Sequence, residues 1–111
     1  MTEKPSVGEP LYSTLVSDPD LYDLVELFVG EMPNRVSELL ERLDANDWDG
    51  LSRTAHQLRG AAGSYGFGPI SPTAAKVEDA INRNYPEDQI RKYVENLVDM
   101  CRRASADVPA G

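Results

Sequence analysis

The chain has one histidine, His56, in 111 residues, and its neighbours suit an imidazole meant to react at a surface. It lies in the run Arg53-Thr54-Ala55-His56-Gln57-Leu58-Arg59-Gly60-Ala61-Ala62-Gly63-Ser64-Tyr65-Gly66. Two guanidinium groups sit within a turn of the ring on either side. Cations at that range attract an anionic group or an acidic partner surface toward the ring. Trp48, Leu51, Ala55, Leu58, Ala62 and Tyr65 recur at steps of 3, 4, 3, 4 and 3, the seam of a helix facing an apolar core. At about 100° per residue, His56 falls about 125° from the middle of that seam, so its ring faces water. Gly60 and Gly63 follow on nearly the same face. Each costs a helix interior about 1 kcal/mol relative to Ala. That cost beside an exposed imidazole predicts a surface kept low so that something bulky can reach the ring.

His56-Gln57-Leu58-Arg59-Gly60, followed after five residues by Gly66, resembles the phosphorylation motif of histidine-containing phosphotransfer (HPt) domains: His-x-Leu-Lys-Gly, five residues, Gly. Arg59 stands where that family usually has Lys, so a planar fork replaces a point charge. The likeness extends to the helical plan from about Asp18 to Arg103. It implies that His56 is a phosphoacceptor, with Arg59 and Arg53 balancing charge on the phosphoryl group, and Gly60, Gly63 and Gln57 in the docking surface for a receiver domain. Glu78, on the next helix, is a candidate to hydrogen-bond the other ring nitrogen and fix its tautomer. The implied partners are response-regulator receiver domains and a hybrid histidine kinase. The implied chain has no cofactor or metal of its own, the Mg²⁺ coming with the receiver, and is a monomer.

The bulk properties agree with such a carrier. With 11 Lys and Arg against 19 Asp and Glu, the net charge is −8, which argues against nucleic acid as a main partner. No apolar run is long enough to span a membrane, and the N-terminus lacks a signal-peptide pattern. The lone Cys101 cannot form an internal disulfide, which suits a reducing cytoplasm. There is no P-loop or glycine-rich nucleotide lid, and one histidine is too few for a zinc site or a hydrolase triad. A chain without an ATP site is expected to be a phosphocarrier, not a kinase.

The elements that must position His56 are helices. Residues 1–17 read as a polar tail, with a short helical turn over Leu11–Val16 lidding the bundle. Asp18 caps a helix with Pro19 in its first position. Apolar residues then keep helical phase from Leu21 to Leu43 through Val25, Phe28, Met32, Val36 and Leu39. Pro33 interrupts that phase without shifting it, so the segment reads as one long helix kinked near Gly30–Pro33, with two helices meeting there as the alternative. Asp47 caps the His56 helix, Trp48 to Tyr65. Ser71-Pro72 starts the next, which ends near Asn84, and Pro86 opens the last. No β-type alternation is present. The expected fold is all-α: an antiparallel up-down-up-down four-helix bundle over 18–105 with a short extra N-terminal helix or tail and a C-terminal tail over 106–111.

Blander readings compete at several positions. Gly60 and Gly63 could serve close helix packing, and Gly66 is equally a helix stop. Cys101 and the aromatic residues Tyr22, Phe28, Trp48, Phe67 and Tyr93 read as core. Two other functions remain open: a helical adaptor or anti-kinase module that is never phosphorylated, and an HPt domain cut from a hybrid kinase. The initiating Met favours a stand-alone chain over the second.

Overall fold

The computed structural model describes residues 9–107 and contains five helices and one pair of two-residue strands. The helices are α1 (Pro19–Gly30), α2 (Met32–Asp44), α3 (Trp48–Ser64), α4 (Ile70–Asn82) and α5 (Glu87–Arg103). Strand β1 (Leu11–Tyr12) pairs in parallel with β2 (Ala104–Ser105). Helices α2 to α5 form the bundle, each packed against the next and α5 closing back on α2. Residues 1–8 of the expected N-terminal tail and 108–111 of the expected C-terminal tail lie outside the described residues.

The expected single kinked helix over residues 19–44 is corrected to the alternative, two helices. Pro33 has no N–H and its ring excludes the preceding turn, so α1 stops at Gly30 and α2 begins at Met32 with the proline in its first positions. Glu31 bridges them: its N–H donates to the Leu27 and Phe28 carbonyls, and its own carbonyl accepts from Arg35 N–H. The first bundle helix is therefore Met32–Asp44, and α1 closes one end of the bundle. Phe28 of α1 stacks on Tyr65 and Phe67 at centroid distances of 5.1 and 5.5 Å. The face of α1 turned outward leaves Leu24 and Leu27 exposed.

The core follows the expected seams. Leu51, Ala55, Leu58 and Ala62 of α3 are fully buried against Leu39, Val77, Val94 and Leu97. Burial of each large aliphatic side chain stabilises the fold by about 1.5–3 kcal/mol. Cys101 belongs to this core, and burial pushes its thiol up to about 12, so it is packing and not a nucleophile.

Three expectations about local structure need correcting. The expected turn over Leu11–Val16 begins later: Leu11–Tyr12 is a strand, because its backbone groups pair with the chain leaving α5, and the chain turns over residues 14–17, where Asp18 N–H donates to Leu15 O at 3.1 Å. Short strands therefore exist where no β-type alternation predicted any; two residues are too few to carry a pattern. Ser71 does not cap α4, which starts at Ile70 after Pro69 and has no side-chain cap. Its hydroxyl is used across the helix pair, as described below.

The ends of α3 are held tightly. Asp47 accepts from Gly50 N–H through Oδ1 at 3.0 Å, and its Oδ2 pairs with Arg42 Nη1 at 2.7 Å. These contacts, the backbone donor first, hold the Asp47 carboxyl below its ordinary 3.8. At the other end Gly66 N–H donates to Gly63 O and Phe67 N–H to Ala62 O, a Schellman turn with Gly66 at φ +83°. The same turn recurs after α2 and α4 with Asn46 and Asn84 in the left-handed position. Ser13 Oγ donates to Tyr65 O at 2.6 Å and Thr14 N–H to Gly66 O at 3.0 Å, so the N-terminal strap binds the α3 terminus.

Three outcomes follow. A Cβ on Gly66 would lie 2.9 Å from Thr14 N at a positive φ, so Gly66→Ala should lower stability by about 1–3 kcal/mol, read as a fall in urea midpoint. Asn84→Gly should stay within about 0.5 kcal/mol. Because the folded pKa of Asp47 is depressed, its contribution is present above 3.8 and disappears as pH falls through the lower folded value. Asp47→Asn should therefore flatten the acid limb of the melting-temperature profile.

Candidate functional site

His56 sits midway along α3 on the face turned from the core, with its side chain 59% exposed. Glu78, midway along α4, is 18% exposed. Its Oε2 lies 2.9 Å from His56 Nδ1. A carboxylate only accepts, so this contact requires a proton on Nδ1, and in the neutral ring it leaves Nε2 with its lone pair. Among the described residues Nε2 makes no hydrogen bond. The second Glu78 oxygen, Oε1, is 3.2 Å from Arg59 Nη1. That oxygen is buried and the pair is off the line of a hydrogen bond, so the contact is an ion pair. Arg59 thus adds its charge to the network through Glu78.

The other expected residues are placed unevenly. Gly60 is exposed, and a Cβ built on it would meet nothing within 4 Å, so the surface one turn beyond the ring is open. Gly63 is exposed too, but a Cβ there would stand 3.3 Å from Ser71 Oγ, so close helix packing claims part of this glycine. Gln57 and Arg53 are exposed and form no side-chain hydrogen bond or ion pair among the described residues. Arg53 adds only the smallest of the contributions that lower the Asp47 carboxyl at the start of the helix. His56, Glu78 and Arg59 are brought together; Arg53 and Gln57 flank them without joining the network.

Ser71 was missed from the sequence as a contributor. Its Oγ donates to the Arg59 carbonyl at 2.8 Å, tying the first turn of α4 to α3 within a turn of His56. A serine before a proline signals a cap, and nothing in the pattern distinguishes this use of the hydroxyl.

The site thus holds an imidazole with one nitrogen against a carboxylate and the other open to water. Residues 23–107 match the Hpt domain family model. The chain belongs to the Hpt domain family. No curated protein and no solved structure matches it significantly. An Hpt domain is a histidine phosphotransfer module: a phosphocarrier that works with receiver domains and kinases, without an ATP site of its own. No helix among the described residues of this Hpt domain is long and apolar enough to cross a membrane.

The tautomer assignment is open to direct measurement. In ¹⁵N-edited NMR of the neutral ring, wild type should show the proton on Nδ1. Glu78→Ala should move the population toward the Nε2–H form that free imidazole side chains prefer, and an unchanged spectrum in that variant would remove Glu78 from the account.

Proposed function

We propose that this Hpt domain carries phosphoryl groups in a multistep His-to-Asp relay of two-component type, with His56 Nε2 as acceptor. The observation that carries this reading is the 2.9 Å contact between Nδ1 and Glu78 on a ring whose other side is exposed. A receiver domain, charged through a hybrid histidine kinase, docks over α3 with its phospho-aspartate and its own Mg²⁺. Nε2 attacks phosphorus in line; the N–P bond forms as the acyl-phosphate P–O bond breaks, and the aspartate leaves as a carboxylate. The ring keeps its Nδ1 proton and becomes cationic, and the Glu78 carboxylate balances that charge. Arg59, and Arg53 at longer range, offset the charge on the phosphoryl oxygens. Transfer to a second receiver runs these steps backward.

The docking surface in this reading is the low strip over Gly60 and Gly63 with Gln57 beside it. The scaffold is an antiparallel up-down-up-down bundle over 18–105, working as a cytoplasmic monomer. Net charge fits the partner choice: an acidic domain with guanidinium groups at the reacting face meets the acidic rim of a receiver at that face only.

Transfer from a phosphorylated receiver, followed with labelled phosphate, tests the proposal. Wild type should acquire label that is acid-labile and base-stable, and His56→Gln should acquire none. Label that persists in His56→Gln would move the site elsewhere and favour an adaptor reading of the bundle.

A further inference from the structure

The α3–α4 pair contains two contacts with a shared spacing. His56 and Gly63 are seven residues apart on α3, and Ser71 and Glu78 are seven apart on α4. Seven residues are about two turns, so each pair shares one helix face. The partners run in opposite order: Glu78 meets His56, while Ser71 meets Gly63 and the Arg59 carbonyl. One contact is the reactive pair. The other uses a residue without a side chain and a hydroxyl directed at a backbone oxygen.

That second contact is demanding. The Arg59 carbonyl lies within α3, where it already faces the N–H four residues on, and Ser71 Oγ reaches it at 2.8 Å. The approach needs the space over Gly63, where a Cβ would stand 3.3 Å from the same Oγ. Apart from Arg59, whose guanidinium reaches Glu78, the α3 residues facing α4 between His56 and Gly63 are small or apolar: Leu58 and Ala62 are fully buried, as are Ala74 and Val77 opposite. Packing of these side chains limits sliding along the axis. A hydrogen bond to a fixed backbone atom adds a directional constraint. Polar contacts therefore sharpen the axial register, and beside the Glu78 contacts to His56 and Arg59, Ser71 to Arg59 O is the side-chain hydrogen bond that joins α3 to α4 among the described residues.

We propose that Ser71, seated over Gly63, is a positioning residue for phosphotransfer: it sets the register of α4 on α3 that delivers Glu78 to His56 Nδ1. The inference rests on the reading of His56 as phosphoacceptor and adds a residue outside the histidine motif. Ser71 touches neither the ring nor any reacting atom in this account. Its influence passes through the helix to Glu78.

The test compares wild type, Ser71→Ala, Glu78→Ala and the double variant, each shown folded by circular dichroism. Two readouts are taken: the neutral-ring tautomer by ¹⁵N NMR and the rate of transfer from a receiver domain charged with acetyl phosphate. Ser71→Ala should shift the tautomer population toward that of Glu78→Ala and slow transfer by about tenfold. In the Glu78→Ala background it should change neither readout by more than about twofold, because the two residues act in series. Gly63→Ala, which keeps the hydroxyl but crowds it, should shift the tautomer the same way and stands in if Ser71→Ala does not fold.

An unchanged tautomer in a folded Ser71→Ala overturns the proposal, whatever happens to the rate, and so does a full additional loss in the double variant. Failure of the parent reading looks different: wild type takes no label, or His56→Gln keeps it. The tautomer arm still decides the register question in that case.

Discussion

A carboxylate on one helix and an imidazole on the next must meet at hydrogen-bond distance while the far ring nitrogen stays in water. Glu78 and His56 meet at 2.9 Å with the ring 59% exposed, and much of the molecule serves that condition. The half-buried carboxylate is held by Arg59 on its second oxygen. That cation balances the charge of a carboxylate set between two helices. The guanidinium in place of the more usual lysine thus has a geometric task here: it spans from α3 to Glu78 on α4.

The two helices are in turn fixed at their ends. Asp47 caps α3 and pairs with Arg42 of α2. Gly66 terminates it under the strap carrying Ser13 and Thr14. Phe28 of α1 covers Tyr65 and Phe67 just past that end. Helix α3 is thus tied to three other parts of the chain, none of them contacting the ring. The face bearing His56 and Gly60 is left clear. Rigid support beneath and open space above is the arrangement a carrier needs if its partner brings the rest of the catalytic apparatus.

How much of this could be read from residue order depended on the kind of signal. The α3 seam, its Asp47 cap and the outward phase of His56 follow from period and side-chain type, and the structure repeats them. Glu78 was accessible as a candidate because a histidine nucleophile needs a partner for its other nitrogen, and a carboxylate on the next helix can supply one. Three features were not accessible. The split at Glu31 depends on whether packing holds the chain straight through Pro33, which the continuous apolar phase cannot decide. The β1–β2 pair joins segments some ninety residues apart through backbone atoms alone. Ser71 sits in a Ser-Pro pair that reads as a cap, and only the close approach over Gly63 redirects its hydroxyl. Local signals were legible; register between helices was not.

The central claim is that Glu78 holds Nδ1 and reserves Nε2 for the phosphoryl group. The most direct measurement is the position of phosphate on the ring after transfer from a charged receiver, read by ³¹P–¹⁵N correlation on protein with labelled histidine. The account predicts phosphorus bonded to Nε2, with the Nδ1 proton still present. Phosphorus on Nδ1 would contradict it, because that nitrogen would have had to leave Glu78 to react.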